Sequence, residues 1–421
     1  MHISKLNIFL STFNLFLIFV GYQLVTSLFL PNYATYEGTE EGTAISRFVT
    51  IPYRIFALLI SIVVIIQNWR NKPKINKPMK LYLLFWGLLI IRIVFDLYVR
   101  TDIKVSSGAA RETIIYVFFV CLIPTFSVYK SIQSIDFSLA FRFILFGFVI
   151  LIPIFYYNNP LLFTIESTGY RLSGNIAMST IIFGHYGVTL ALFAFFWGRT
   201  ASANWKVFLS YFLIAIGAFV MLRAGSRGPL VALVACFIFY YVAKQKNSIG
   251  IMVMGVVCIL LLYVLSDFLF DLIRSISPML AARMTLSGTG TEYEEFSSGR
   301  TSLYEEALNR FYDSPFLGES FAIFHSSGSY IYSHNMVLDA FMALGLLGGG
   351  LFVVMLAYAL IHSRNMIMFK FQHWWIALVC VQYIIFISFS GAFYQSGTLN
   401  VLLTMTLLFS QREKTLLKPH G

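Results

Sequence analysis

Three short polar stretches of this chain carry side chains that could hold an anion or move a proton. Arg223 and Arg227 lie four residues apart in "RAGSRGPL", Arg300 ends "SSGR", and His334 lies in "YSHN". An arginine fork binds phosphate or carboxylate through two parallel hydrogen bonds. A histidine titrates near neutral pH, so it can take a proton from an attacking hydroxyl. These residue types predict chemistry on an anionic substrate, with arginines as its ligands and His334 as a general base.

The elements that position these residues are predicted to be membrane-spanning helices. The chain has 421 residues, of which 58% are hydrophobic and 12% charged, and its mean hydropathy is +0.77. This is too apolar for a soluble domain, and apolar runs of about 17 to 25 residues recur, each long enough to cross a membrane as a helix. Since only helices or closed barrels satisfy their backbone groups in lipid, runs this long predict an all-α, polytopic integral membrane protein.

The predicted fold has about 12 transmembrane helices and one long outer loop. The spans are placed at 7–30, 48–68, 81–98, 113–129, 137–157, 176–197, 207–222, 229–243, 249–270, 335–361, 371–393 and 396–410. We expect helices 1 to 9 in residues 1–270, the loop, folded as a small helical cap, in residues 271–333, and helices 10 to 12 with a tail in residues 334–421. The first span is too long for a cleaved signal peptide, so it is expected to stay in the mature chain.

Basic residues predict the orientation of these helices. Under this segmentation every lysine except Lys104 falls on one side of the membrane, together with both termini. Because loops rich in lysine and arginine stay in the cytoplasm, this side is predicted to be cytoplasmic. The formal net charge of +11 is thus explained by topology and indicates no nucleic-acid partner. The 4 cysteines lie in apolar spans without metal-ligand spacing, so neither a disulfide nor a metal site is predicted.

Arginine departs from the lysine pattern. Most arginines fall on the outer face, namely Arg47, Arg54, Arg100, Arg111, Arg171, Arg223, Arg227, Arg274, Arg283, Arg300 and Arg310. An anionic partner at the outer leaflet explains this preference for guanidinium, whose planar fork an ammonium group lacks. The alternative is pairing with outer acids such as Glu292 and Glu305. Both explanations stay open for individual arginines, and Arg274, Arg283 and Arg310 are rival ligands for the same anion.

Several candidates lie where a helix begins at the outer face. Arg227 precedes one span, Arg171 in "RLSGN" precedes another, and "YSHN" opens a third. Ser302, with Glu305 three residues later, predicts a capping box, so Arg300 should lie just before a helix of the cap. Because helix N-termini have unpaired N–H groups and a positive dipole end, these positions favour anions.

The candidates also have purely structural interpretations. His334 could be an interfacial polar residue or a helix cap, and tyrosines such as Tyr304 and Tyr332 are common at a membrane boundary. Ser226 in "AGSRG" comes near the G-x-S-x-G turn of serine hydrolases. Ala224 replaces the first glycine of that motif, however, and no strand precedes it, which argues against a hydrolase.

Two further patterns are predicted to be structural. Arg92 and Asp96 are four residues apart in the third span and should pair with each other, although charges within a membrane are functional candidates by default. Gly345 and the glycines at 348–350 have a small-xxx-small spacing that allows helices to pack closely.

In this order, the stretches "AGSRGPLVAL", "SGRTSLYEEALNRFYDSPFLGE" and "YSHNMVLDAFMALGLLGG" resemble the O-antigen ligase and polymerase superfamily. Its members include the Wzy-type O-antigen polymerases and the WaaL-type O-antigen ligases of lipopolysaccharide biosynthesis. The resemblance covers about residues 170 to 355. It implies a GT-C-like, multi-pass protein of the bacterial inner membrane, with both termini cytoplasmic and the active site periplasmic.

The resemblance also implies a glycosyltransferase that takes a saccharide from undecaprenyl diphosphate with inversion and without a metal or other cofactor. Arg227 and Arg300 match the arginines that hold the diphosphate, and His334 matches the histidine that acts on the acceptor hydroxyl, so these three are predicted to be catalytic. Substrate contacts are predicted for Arg223, Arg171, Ser226, Asn335, Tyr304 and Tyr332. The expected partners are an undecaprenyl diphosphate-linked oligosaccharide, membrane lipid and a chain-length regulator protein.

The acceptor distinguishes the two branches of the superfamily. A polymerase passes the glycan to another lipid-linked repeat unit, whereas a ligase passes it to lipid A-core. The Phe-, Ile- and Tyr-rich composition and the opening "YSHNMVLD" favour the polymerase, with the ligase as the alternative. A lipid-linked saccharide flippase is an alternative of another class, but transporters place charges near the midplane and often show repeated halves. Here the polar candidates lie at the outer face, and no convincing repeat is visible.

Overall fold

The computed structural model describes residues 4–30, 40–103, 105–159, 172–175, 177–245, 250, 253, 255–257, 260, 264–285 and 300–416. Regular structure in these ranges is helical apart from one two-stranded sheet. Within them, 8 helices are long and apolar enough to cross a membrane, and three shorter apolar helices accompany them. The protein is an all-α polytopic membrane protein, as its composition predicts.

The helices are α1 (Lys5–Phe29), α2 (Glu40–Gln67), α3 (Lys77–Tyr98), α4 (Ser107–Ser131), α5 (Phe137–Asn158), α6 (Thr180–Thr200), α7 (Asn204–Arg223), α8 (Arg227–Ala243), α9 (Ser266–Ile276), α10 (Pro278–Thr285), α11 (Arg300–Asp313), α12 (Met336–Met368), α13 (Trp375–Phe389) and α14 (Gly397–Leu416). Strands β1 (Ile323–Phe324) and β2 (Tyr330–Ile331) pair antiparallel. Side-chain caps fix where several helices begin, because they satisfy N–H groups of the first turn. The capping residues are Ser4, Asn76, Ser106, Asp136 and Ser179.

The predicted spans agree with these helices, except that the span at 249–270 lies mostly outside the described residues. Several helices are longer than predicted, among them α2, which begins at Glu40, and α12, which ends at Met368. The predicted cap at 271–333 contains α10, α11 and a short hairpin that the sequence did not indicate. The hairpin matters for the site because β2 leads directly into the stretch "YSHN".

The chain forms two compact units. Unit 1 comprises Met1–Asn71, Lys130–Thr285 and Arg364–Gln382, and unit 2 comprises Lys72–Tyr129, Leu286–Ser363 and Tyr383–Gly421. Each unit is therefore assembled from segments that are far apart in the sequence.

Glycines in unit 1 bring α6 against both α7 and the start of α8. A side chain at Gly187 would overlap the backbone at Gly217, and the reverse also holds, so α6 and α7 touch along their backbones. One turn earlier, a Cβ at Gly184 would lie 2.6 Å from Cγ of Pro229. Because Pro229 belongs to the first turn of α8, this contact fixes the turn that joins α7 to α8.

In unit 2, α12 is broken at Gly345, whose φ of 62° and ψ of −159° are not helical. The segment that follows α11 fills the break. Leu346 N donates to Pro315 O over 2.7 Å, and Glu319 N donates to Met342 O over 2.9 Å. The sequence predicted that Gly345 allows close packing, and it does, but against this segment rather than against a second helix.

Arg92 and Asp96 hold the same segment from α3. Their predicted ion pair is present, with 3.4 Å between Nη1 and Oδ1. Arg92 also donates to the carbonyl of Ala343, at the break, over 2.8 Å and to that of Leu317 over 2.9 Å. Asp96 accepts a hydrogen bond from Phe321 N over 2.7 Å. The intramembrane charges therefore satisfy backbone groups that the break would leave unpaired in lipid.

Candidate functional site

The turn between α7 and α8 carries three predicted site residues. α7 ends at Arg223 and α8 begins at Arg227, so Ser226 occupies the N-cap position. Gly225 has a φ of 63°, in the left-handed region that glycine adopts without strain. Ser226 is buried, and its hydroxyl makes no capping bond to α8. Arg227 therefore belongs to the first turn of a helix, where N–H groups and the helix dipole favour a bound anion.

Arg223 has a partner within the protein. It is 5% exposed, and its Nη1 donates to the carbonyl of Ile276 over 3.2 Å. Ile276 is the last residue of α9. A cation at this position stabilises the negative end of the helix dipole and satisfies one of the last carbonyls. This contact gives Arg223 a structural partner in α9, and its predicted contact with substrate stays a prediction.

Arg227 is predicted to bind the leaving diphosphate, so changing it to alanine is expected to lower turnover by about 10- to 100-fold. Arg223→Ala should instead lower the unfolding temperature, since it removes the bond to Ile276. Arg274→Ala is the matched control, because the side chain of Arg274 on α9 is exposed and its loss is expected to leave turnover unchanged; reduced turnover in it would identify Arg274 as the ligand instead. Polymer formation and thermal unfolding measured for all three variants test these roles. Unchanged turnover in Arg227→Ala would overturn the assignment of Arg227.

The helix of the predicted cap begins earlier than expected. α11 starts at Arg300, so Ser302 is its third residue rather than its N-cap. The predicted capping box of Ser302 and Glu305 is therefore wrong: the helical run extends two residues further, and the residues before Arg300 lie outside the described part of the chain. Arg300 is half-buried in the first turn of α11. Its position still combines a guanidinium group with a helix N-terminus.

His334 has an unusual backbone and a close aromatic neighbour. Its φ is 62°, in the left-handed region where residues other than glycine are uncommon. The centroid of its ring lies 4.5 Å from that of Tyr332, in an edge-on arrangement. Its Nδ1 is buried and meets no hydrogen-bond partner among the described residues. A strained backbone that holds an imidazole with a buried, unpaired nitrogen is typical of a functional position rather than of a helix cap.

The surroundings of His334 keep its imidazole neutral. Burial and, to a smaller extent, the positive charge of Arg300 together lower the pKa of His334 to about 4. Arg300 and His334 therefore lie within electrostatic reach of each other. At neutral pH the ring is uncharged, so it can accept a proton.

Asn335 and Asp339 fix the backbone on either side of the entry to α12. The side-chain oxygen of Asn335 accepts hydrogen bonds from Val337 N and Leu338 N, at 3.0 and 3.2 Å, so Asn335 caps the helix. Asp339 accepts from Ser333 N over 2.9 Å through Oδ1. Its Oδ2 is buried without a partner among the described residues. Asp339 was not among the sequence-predicted site residues, although its place one turn into α12 was a visible signal.

The two tyrosines predicted to contact substrate, Tyr304 and Tyr332, differ in their contacts with His334. Tyr332 contacts His334, and burial raises its pKa, with a further rise from the negative charge of Asp339. Tyr304 is half-buried on α11. Tyr330, on β2, hydrogen-bonds through its hydroxyl to Thr113. Tyr332 is therefore the tyrosine that the structure brings to the histidine, whereas a contact of Tyr304 with substrate stays a prediction.

The structure thus brings Arg300, Tyr332, His334 and Asn335 together in unit 2, with Asp339 as an addition. Arg223, Ser226 and Arg227 lie together on one turn of unit 1. Arg171 lies outside the described residues, so its predicted role has no structural counterpart.

These features first define a class: an all-α polytopic membrane protein that holds a neutral histidine at the entry of a broken helix, with an arginine within electrostatic reach of it. A family model described as O-antigen ligase matches residues 211–353. This match supports the resemblance of the segment to the O-antigen ligase and polymerase superfamily, whose members are glycosyltransferase-like enzymes that act on lipid-linked saccharides in membranes. The matched segment contains Arg227, Arg300 and His334. No curated protein matches the chain.

Proposed function

We propose that the protein is a polysaccharide polymerase that transfers a glycan from undecaprenyl diphosphate to the hydroxyl of an acceptor lipid-linked repeat unit. The reaction inverts the anomeric carbon, needs no metal, and takes place at the periplasmic face of the bacterial inner membrane. The observation that carries this proposal is the neutral His334 beside Arg300, both within the segment that matches the family. Attack by a hydroxyl on a carbon that bears a diphosphate leaving group needs a base and a nearby cation.

In this reaction His334 removes the proton of the acceptor hydroxyl while the hydroxyl oxygen bonds to the anomeric carbon. The bond between that carbon and the phosphate oxygen breaks, and its electron pair leaves with the lipid diphosphate. Arg300 stabilises the charge that develops on the diphosphate more strongly in the transition state than before it. The family resemblance extends the same role to Arg227. His334 then releases its proton to water before the next transfer.

Arg300 also links donor binding to the strength of the base. Without substrate, its positive charge lowers the pKa of His334 and weakens the imidazole as a base. A bound diphosphate compensates this charge, so the pKa of His334 rises when the donor is present. The base therefore becomes effective once there is a leaving group to act upon.

The pH dependence of kcat/KM tests this link, because kcat/KM reports groups of the free enzyme. His334 must be neutral to act, so kcat/KM is expected to fall as the pH drops through the pKa of His334, about 4. Arg300→Gln removes a neighbouring positive charge, which raises this pKa and moves the acid limb to higher pH. Rates measured from about pH 4 to pH 8 for both proteins show the shift. An acid limb at the same pH in both would mean that Arg300 does not act on His334.

The decisive experiment uses the purified protein in detergent with synthetic undecaprenyl diphosphate-linked repeat units. We expect a ladder of longer lipid-linked products. Because no leaflets exist in detergent, such products also rule out transport as the primary role. If lipid-linked units are never extended in the presence of folded protein, the polymerase proposal is wrong.

Ligation is the second candidate, and the description of the matched family model as O-antigen ligase favours it. A ligase uses the same donor and differs only in passing the glycan to lipid A-core. Lipopolysaccharide from a strain that lacks the protein separates the two. A single repeat unit on the core indicates a lost polymerase, whereas a bare core indicates a lost ligase.

A further inference from the structure

Unit 1 contains a large pocket at the ends of α7 and α8 that are remote from Arg223 and Arg227. Its volume is about 920 Å³, within the range of pockets that bind small ligands. The start of α5, the end of α6, the start of α7, the end of α8 and the turn between α12 and α13 line it. We call it the basic pocket, after the five cations at its edge: Arg142, Arg199, Lys206, Lys244 and Lys370.

Among the described residues, the five cations of the basic pocket have no acidic counterpart, since none of the residues that line it is an aspartate or a glutamate. Within the described part of the chain, none of the five forms an ion pair with a carboxylate. Asp136, the acid just before α5, accepts from the N–H groups of Ser138 and Leu139 and so is engaged in capping that helix. The pocket therefore concentrates positive charge that an anionic ligand would compensate.

The contacts that these cations make are with neutral groups and leave donors for a ligand. Arg199 Nε donates to the hydroxyl of Tyr240 over 3.4 Å, and Arg142 Nε donates to Ser138 O over 3.3 Å. Each guanidinium group has five N–H donors, so both arginines keep further donors. The Nζ of Lys244 lies 4.4 Å from the ring centroid of Tyr240. A phosphate can accept from several such groups at once.

The walls of the basic pocket are apolar and largely aromatic. Phe141, Trp374 and Trp375 are buried there, and the rings of Phe196 and Trp374 lie 4.8 Å apart. Arg142, Arg199 and Lys370 are exposed at the rim. Long cationic side chains at the rim of an apolar wall match a ligand with an anionic head and a hydrocarbon tail, rather than a free anion.

We propose that the basic pocket binds an anionic phospholipid, with its phosphate among the five cations and its acyl chains on the aromatic wall. Basic pockets between transmembrane helices bind anionic lipid headgroups because they combine surface charge with an apolar surface. The lysines at this end of unit 1 belong to the side predicted to be cytoplasmic, where the leaflet is negatively charged. This lipid is distinct from the lipid diphosphate of the transfer reaction, because the pocket contains none of the residues proposed for that reaction.

Tryptophan quenching by brominated lipids tests the proposal on the full-length protein in a zwitterionic detergent. Dibrominated phosphatidylglycerol and dibrominated phosphatidylcholine are titrated separately. Trp197, Trp374 and Trp375 line the pocket and report its occupancy. Exposed tryptophans such as Trp69 and Trp205 respond to any nearby lipid, so they supply the same background in both titrations. We expect phosphatidylglycerol to reach half-maximal quenching at a concentration roughly tenfold lower than phosphatidylcholine does.

The double variant Lys206→Gln/Lys244→Gln should raise the phosphatidylglycerol concentration at half-maximal quenching about tenfold and leave quenching by phosphatidylcholine unchanged. Lys74→Gln/Lys77→Gln is the matched control, because it removes two exposed lysines that do not line the pocket. Unfolding temperatures equal to that of the wild type confirm that the variants are folded. If a double variant does not fold, the two corresponding single lysine variants are tested in its place. Equal quenching by both lipids, or wild-type quenching of the pocket variant, would overturn the proposal. Protection by inorganic phosphate at constant ionic strength would identify free phosphate as the ligand and overturn it as well.

Discussion

His334→Asn is expected to reduce polymer formation by about 10²- to 10⁴-fold, the usual contribution of a general base. The imidazole is half-buried and neutral, and its buried Nδ1 has no hydrogen-bond partner among the described residues, so the ring can accept a proton. Asparagine is the informative replacement because it tolerates a positive φ better than most residues and removes the base without straining the backbone. Turnover of synthetic lipid-linked units by the purified variant measures the loss.

His325→Asn is the matched control, since His325 is an exposed histidine in the hairpin loop between β1 and β2. It should retain wild-type turnover. His334→Ala should lose activity to the same extent but should also unfold at a lower temperature, because alanine is strained at a φ of 62°. Turnover within a few-fold of wild type in His334→Asn, with a normal unfolding temperature, would show that His334 is not the base.

The helices were predictable because the information for them is local. An apolar run long enough to cross the membrane specifies a helix whatever its neighbours are, since lipid leaves no other way to satisfy the backbone. The turn at Arg227 was predictable for the same reason: glycines and a proline between two apolar runs end one helix and begin another. Arg227 and His334 were therefore located correctly at helix starts from sequence alone.

The break in α12 was not predictable, because it depends on residues far away in the chain. The stretch "MALGLLGGG" is compatible with a continuous helix. The break becomes favourable only when the segment after α11 supplies hydrogen bonds to it and Arg92 donates to Ala343 O. The bond from Arg223 to Ile276 is equally non-local. Sequence spacing showed that Arg92 could pair with Asp96, but not that its main acceptors are backbone carbonyls.

The broken helix explains how the protein holds a strained histidine. The half of α12 before Gly345 carries the Asn335 cap and Asp339, which accepts from Ser333 N. At its other end this half is held by Glu319 N and by Arg92. Both ends are therefore fixed, and the left-handed backbone of His334 is imposed by structure on either side of it. The stability of the break and the placement of His334 are consequently coupled.

Gly345→Ala is expected to destabilise the protein by about 3 to 5 kcal/mol and to lower its unfolding temperature by about 10 °C. Its φ of 62° with ψ of −159° is a conformation that only glycine adopts readily. An added methyl group would also overlap the backbone of Phe316 and Leu317, which cannot move aside as a flexible side chain could. Thermal unfolding of the detergent-purified variant measures the loss.

Gly350→Ala is the matched control in the same helix, because a Cβ there meets no atom within 4 Å. It should leave the unfolding temperature unchanged or raise it slightly, since alanine favours a helix over glycine by up to about 1 kcal/mol. Any Gly345→Ala protein that remains folded should also turn over more slowly, because its strain can be relieved only by moving the half-helix that begins beside His334. Equal stability of the two variants would mean that the chain tolerates a continuous α12, and that the break does not position the histidine.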